Sequence, residues 1–355
     1  MVIAKGNYGA SMGLVPVAAV TLEPLQPCLA LRDCECVGGV GQDGRVGQLG
    51  FEGMPSRLYP CTPSRLSAWL DCRRRYRMVY LDRPPPSKGA PWAHNSFGAS
   101  VHNALAGWWR LPRAERTTVA AGNLIERGWI EEGYASAAQS ARSRGVARKM
   151  VEDYVADLDP ADEPVGVERT VATRTDRIAL SGRIDRLDER AAPDGGTELV
   201  VVDYKTGRHI LTVDDARGSL PLAMYALAAE RVMRRRCRRV ELHHLPTGRV
   251  IAFEHTDSTL ARQLHRAEDI AAECAAADER FKAGLPADRY DEVFPPSPRP
   301  ACGWCDYLRH CPEGRLAATP RQPWDGLMTP GDADACDEAP PRCRSGPDDR
   351  SGSGS

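Results

Sequence analysis

The order of elements in the sequence predicts an α/β fold: a mixed central sheet flanked by helices, with a helical insert ahead of it. Three observations predict it. Strand-like runs follow one another at about 165–173, 177–187 and 198–205. The third contains Leu199 to Val202, an apolar and β-branched run with the pattern of a buried strand. Beyond it, Leu220 to Arg235 is amphipathic at helical spacing, with Leu222, Tyr225, Leu227, Ala228 and Val232 as candidate core positions. A hairpin (238–245 and 249–254) then turns at Thr247-Gly248, and a long helix runs from Ser258 to Ala283.

The elements upstream are helical. Ser64 to Tyr80 reads as a helix with Ser64 as candidate N-cap. Ser96 to Trp109 is a second helix, and Ala114 to Asp157 is the insert, interrupted at glycines. No internal repeat is present. Residues 1–55 differ from the rest: they are glycine-rich, weakly periodic and carry Cys28, Cys34 and Cys36 without an evident pairing. They are expected to be a disordered extension or an untranslated stretch, with Met54 as the start. The tail from about Thr319 is rich in Pro, Asp, Gly and Ser and is expected to be disordered. The folded domain is then 56–318.

Bulk properties narrow the function. A net charge of −1 over 355 residues gives no global attraction to nucleic acid. The basic charge is clustered instead. Arg73, Arg74, Arg75 and Arg77 surround Cys72, and Arg234, Arg235, Arg236, Arg238 and Arg239 surround Cys237. The first cluster, Arg73 and Arg74 above all, is placed to meet phosphates; the second reads as a solvated surface. No apolar run is long enough for a transmembrane helix. The run Leu14 to Leu22 contains Pro16 and makes a poor signal peptide, so a reduced, cytoplasmic setting is expected. No G-x4-G-K-[ST] sequence is present, so the chain carries no P-loop motor.

The chemistry concentrates in two short segments, Gly182-Arg183-Ile184-Asp185 and Asp203-Tyr204-Lys205-Thr206-Gly207. Asp203 and Lys205 are two apart on a strand, so their side chains leave the same face. Asp185 ends the neighbouring run, and a turn-rich link lets the two carboxylates converge on one divalent cation. Lysine is scarce here: the 47 basic residues are 42 arginines and five lysines. Its compact ammonium suits a role beside water or phosphate better than a planar guanidinium does.

These segments resemble the PD-(D/E)XK nuclease superfamily, in particular its RecB-type branch, over roughly Thr62 to Pro312. The resemblance implies a restriction-endonuclease-like core and a DNA exonuclease dependent on Mg2+ or Mn2+, acting on single strands or duplex ends. Asp185, Asp203 and the Tyr204 carbonyl would hold the metal, and Lys205 would position or activate water. Phe97-Gly98 through His102 to Leu105 resembles the G-x3-H-x2-L helix of that branch, which brings His102 to the metal centre. The branch usually carries Q-x3-Y on the helix after the lysine strand. Here Tyr225 is present as a substrate contact, but Pro221 stands at the glutamine position. Glu168 is either a further ligand or the polar face of an edge strand.

Four cysteines form a second constellation: Cys72, then Cys302-x2-Cys305-x5-Cys311. Three closely spaced thiolates and a distant fourth can serve one centre. The pattern is similar to the iron–sulfur nucleases of the superfamily, including the nuclease domain of the AddB helicase-nuclease subunit and the exonucleases of CRISPR adaptation. It implies a [4Fe–4S] cluster tying the two ends of the domain together; zinc, disulfides and simple burial are the alternatives. The implied setting is DNA repair or recombination with a partner helicase. CRISPR adaptation and a non-catalytic DNA-binding scaffold are the other settings.

Overall fold

The computed structural model describes residues 58–192 and 195–327. Six strands form one mixed sheet: β1 (Tyr59–Cys61), β2 (Gly166–Arg174), β3 (Ile178–Ala191), β4 (Thr197–Lys205), β5 (Arg239–His244) and β6 (Arg249–Glu254). Its order is β1-β3-β4-β5-β6, with β2 paired to β3. Pairing of β4 with β5 is parallel, and that of β5 with β6 is antiparallel. Among the described residues no helix is long and apolar enough to cross a membrane.

Helices cover both faces. On one side α1 (Pro63–Asp71), α2 (Arg73–Tyr80), α7 (Leu220–Met233) and α8 (Asp257–Lys282) pack on Leu199 and Val201. On the other, α3 (Ala93–Trp109), α4 (Thr118–Gly128) and α5 (Ala137–Ala156) pack on Val200, Val202 and Tyr204. Successive strand residues point to opposite faces, so β4, buried on both, must be apolar without alternation. That requirement explains the Leu199–Val202 run. Three short helices complete the chain: α6 (Val213–Gly218), α9 (Tyr290–Val293) and α10 (Pro312–Ala317).

The edges of β3 position the site. Antiparallel β2 takes one edge, from Ala179 to Leu187. Two strands share the other: β1 pairs with Ile178 to Leu180, and β4 pairs only from Arg186 onward. Between them, Ser181 to Asp185 have no ladder partner on that edge. Past Val202 the end of β4 likewise leaves β3 and pairs only with β5. Two strand ends thus diverge around Asp185.

Four sequence expectations need correction. The helix expected over Ser64 to Tyr80 is two helices, because Cys72 is extended (φ −164°, ψ 116°) and ends α1. Its N-cap is Thr62, not Ser64: Pro63 needs no N–H at the first helical position, and Thr62 Oγ1 accepts from the Arg65 N–H at 3.2 Å. Val232 is exposed, because α7 buries the face carrying Leu222, Ala226 and Ala229. Residues 319–327 belong to the packed body: Pro323 O accepts from Ala93 N–H at 2.8 Å, and Leu327 is buried in the α3 cluster. The expectations for residues 1–55, and for the tail beyond 327, lie outside the described residues.

A buried polar network crosses the α5 side of the sheet. Arg186, 3 % exposed, donates to the Tyr154 hydroxyl at 3.1 Å, and that hydroxyl meets His243 Nδ1 at 2.7 Å. His243 Nε2 lies 2.9 Å from Glu241, which also accepts from Arg190 and Arg239. Burial alone would raise the Glu241 carboxyl, but hydrogen bonds from His243, Arg239 and Arg190 outweigh it and hold the group well below the usual carboxylate range. Glu241→Gln is therefore expected to cost about 2 kcal/mol of stability at neutral pH. A depressed folded-state pKa contributes fully above the unfolded value of roughly 4.3, and the contribution is lost as pH falls toward the folded value. Urea melts of both proteins from pH 7 to pH 3 should show the gap narrowing only below about pH 5.

Candidate active site

Asp185 occupies the interrupted edge of β3. With no strand opposite, its carboxylate takes the place of a ladder carbonyl: Oδ2 accepts from the Tyr204 N–H at 3.0 Å. The same oxygen lies 3.4 Å from His102 Nδ1. Gly98, one turn before His102 on α3, lets that helix approach β4: a Cβ there would sit 3.3 Å from Thr206 Oγ1. Ligand atoms of His102, Glu168 and Asp185 all lie within 4.8 Å of one another.

Glu168 reaches this group through an unusual backbone. Its φ of 50° is left-handed, and it is absent from the β2–β3 register, where Val167 and Arg169 pair on either side. A non-glycine residue in that region costs on the order of 1 kcal/mol and persists only where its surroundings enforce it. Arg183 Nε holds the Glu168 carboxylate at 2.8 Å.

Asp203 and Lys205 leave the end of β4 together. Lys205 Nζ is 2.5 Å from Asp203 Oδ2, so the charge of this buried oxygen is balanced. Burial first, and then the Asp185 charge, raise the Asp203 carboxyl despite Lys205. Burial also acts to raise Asp185, but His102, the Tyr204 N–H and Lys205 together bring it below the ordinary value. His102 is raised: burial disfavours its charge, and Asp185 more than compensates. Tyr225 is near enough to feel both aspartates; burial, then Asp203 and Asp185, push its phenol up to about 12. Its ring fills the space left by Gly182, where a Cβ would come within 2.4 Å of Tyr225 Cε1. An oxygen-rich, half-buried group of three carboxylates with one imidazole fits a hard divalent cation.

The structure therefore brings together Asp185, Asp203, Tyr204, Lys205, His102 and Tyr225, and of the two readings open for Glu168 it places the carboxylate with His102 and Asp185. It does not bring the arginines of α2 to this place. Arg74, expected to contact substrate, is buried and commits its guanidinium to Asp291, Glu313 and Cys311. Arg73 pairs with Glu273 and lies over the Trp69 ring, Arg75 pairs with Asp71, and Arg77 with Asp82. The run around Cys237 is likewise paired: Arg235 with Glu189, Arg236 with Glu254, Arg238 with Glu230, and Arg239 with Glu241.

Cys72, Cys302, Cys305 and Cys311 line one cavity of about 230 Å³ with Arg74, Arg75 and Trp304. All four are free and half-buried. The break at Cys72 is what turns the first of them toward the other three. No three of their sulfurs lie within 4.8 Å of one another. Burial raises the Cys305 thiol, and the neighbouring Cys72 and Cys302 add to the effect.

Replacing Glu168 separates strain from chemistry. Glu168→Gly should stabilise the protein by about 1 kcal/mol, because glycine adopts a positive φ freely. It should also weaken Mn2+ binding about tenfold through loss of a carboxylate. Thermal melts and calorimetric Mn2+ titrations on one preparation would measure both.

No curated protein matches this sequence. Among solved structures, a candidate exonuclease from Eubacterium rectale is similar, with 12 % identity over 71 % of this chain and 88 % of that one and a TM-score of 0.42. Residues 60–312, most of the chain, match the family described as the PD-(D/E)XK nuclease superfamily. The mixed sheet flanked by helices, with Asp185, Asp203 and Lys205 at its diverging strand ends, accords with that match, and the chain belongs to the PD-(D/E)XK nuclease superfamily.

Proposed function

We propose that this chain is a Mg2+- or Mn2+-dependent deoxyribonuclease of the RecB type, an exonuclease acting on single strands or duplex ends. The observation that carries this is the grouping of His102, Glu168 and Asp185 beside an ion-paired Asp203 and Lys205. A divalent cation held by Asp185, Asp203 and the Tyr204 carbonyl would supply charge for the scissile phosphate and lower the pKa of a water. The rest falls to the chain's own residues. His102 orients Asp185 from α3. Lys205, 44 % exposed, can leave Asp203 to meet a phosphate oxygen or hold the attacking water. Pro221 has no side-chain polar group to offer the substrate strand; Tyr225, its phenol kept protonated, can donate a hydrogen bond to that strand instead. The P–O3′ bond breaks and a 5′-phosphate remains.

The one-plus-three spacing of the four cysteines, which all line one cavity, supports an iron–sulfur cluster over zinc. A [4Fe–4S] cluster would close the loop between Cys72 and the C-terminal cysteines, as a structural fastening. Arg74, donating to Cys311 Sγ at 3.3 Å, would stabilise thiolate charge there. In a cell the enzyme would act in DNA repair or recombination, supplied with unwound ends by a partner helicase.

Protein purified without oxygen should degrade labelled single- or double-stranded DNA with Mg2+ or Mn2+. Lys205→Ala should lose activity by about 10²-fold or more. Folded, metal-loaded wild-type protein that binds DNA ends without cutting them would favour a scaffold role instead.

A further inference from the structure

We propose that Asp306, the residue after Cys305, is a positioning residue for the active site, acting through Trp92 at the start of α3. This rests on the metal site described above, but not on which metal the cysteines hold.

A helix begins with N–H groups that have no partner within it. The N-cap of α3 is Trp92, which offers no side-chain oxygen to them. The C-terminal lobe serves that end instead. Asp306 Oδ1 accepts from the Trp92 indole N–H at 2.9 Å, and Asp306 O accepts from the Gly89 N–H at 2.7 Å. Pro323 O accepts from the Ala93 N–H at 2.8 Å. Arg309 donates to the carbonyls of Ser87 and Lys88, at 3.1 and 2.6 Å. Trp304, between Cys302 and Cys305, packs its ring against Trp92 (5.1 Å) and His94 (4.9 Å). All but the Pro323 bond join the cysteine-bearing segment to residues 87–94, and residue 93 opens α3.

What α3 carries makes the clasp consequential. Gly98 and His102 lie on this helix, His102 about 14 Å along it from Ala93 at 1.5 Å per residue. A helix moves as a nearly rigid rod, so a shift or rotation at its start displaces the His102 imidazole from Asp185. That contact is 3.4 Å long, and small changes matter to it. The Trp92–Asp306 hydrogen bond joins the residue directly after Cys305 to the N-cap of α3, and Asp306 Oδ2 also lies 3.9 Å from Lys88 Nζ. The arrangement of the cysteine turn is thereby passed to the carboxylate–histidine site.

The test compares Asp306→Ala, Asp306→Asn and Trp92→Phe in the full chain, with cysteine-bound metal confirmed in each. Calorimetry measures the Mn2+ binding that Asp185→Asn abolishes, and amide exchange is followed across Ala93–Phe97. Asp306→Ala and Trp92→Phe should each weaken that binding about tenfold and speed exchange of the first turn. Combining them should be no worse than the stronger single change, since both remove one bond. Asp306→Asn keeps an acceptor for the indole N–H and should restore wild-type binding. Unchanged Mn2+ affinity and exchange in both Asp306→Ala and Trp92→Phe would overturn the proposal, as would an Asn variant as impaired as the Ala one. Trp92→Phe keeps an aromatic ring and its packing, so it decides the matter if Asp306→Ala fails to fold. If wild-type protein takes up no Mn2+ at Asp185, the proposed function fails, and the exchange of α3 alone judges the clasp.

Discussion

A buried strand must find partners for its polar backbone on both edges, and β3 fails to do so over five residues. From Ser181 to Asp185 one edge lies between the end of β1 and the point near Val202 where β4 leaves β3. The Tyr204 N–H that would face it is satisfied by the Asp185 side chain instead. The remainder of the site follows from this gap. Asp185 is fixed by a backbone donor, so His102 can meet it from α3. The end of β4 is released from β3, so Asp203 and Lys205 emerge side by side. On the far edge, Glu168 takes a left-handed backbone opposite the same point and turns its carboxylate toward the group.

The site thus combines opposing electrostatic demands within one cluster. Five ionisable groups of mixed charge, His102, Glu168, Asp185, Asp203 and Lys205, share a half-buried space, and burial acts against the charge of His102, Asp185 and Asp203 alike. The outcome differs by neighbour. Asp185, with a histidine, a backbone donor and a nearby lysine, is held ionised. Asp203, desolvated and beside another carboxylate, is pushed up even with Lys205 in contact. A cation arriving here would meet both carboxylates, with the charge of Asp203 balanced by Lys205. The ammonium now balancing Asp203 would be freed toward substrate.

Much of this was legible in the sequence, for reasons particular to each element. The strand β4 announced itself because burial on both faces leaves no room for polar residues between Leu199 and Val202. Asp203 and Lys205 could be placed together by strand alternation, and His102 only through the resemblance of its helix to a family pattern. Other features depend on contacts distant in sequence. Nothing local in Arg73 to Tyr80 signals that Cys72 breaks the helix, since its neighbours favour continuing it. Arg74 looked free among its basic neighbours because its acids, Asp291 and Glu313, lie more than 200 residues away. The stretch after Thr319 has the composition of a loose tail, yet backbone groups and Leu327 hold it to α3, and composition does not encode single hydrogen bonds. The positive φ of Glu168 had no signal at all, because the residues that usually mark such positions are glycine and asparagine. The clasp from Asp306 to Trp92 was equally hidden: each residue is ordinary until the fold puts one at a helix start and the other beside a cysteine.

The central claim is that the gap in the β3 ladder is a cation site. Anomalous diffraction from crystals soaked in Mn2+ tests it most directly. One strong peak is expected between Asp185, Asp203 and the Tyr204 carbonyl, with His102 or Glu168 completing the ligand set and Lys205 turned away from Asp203. A peak elsewhere, or none while Lys205 stays on Asp203, would contradict it.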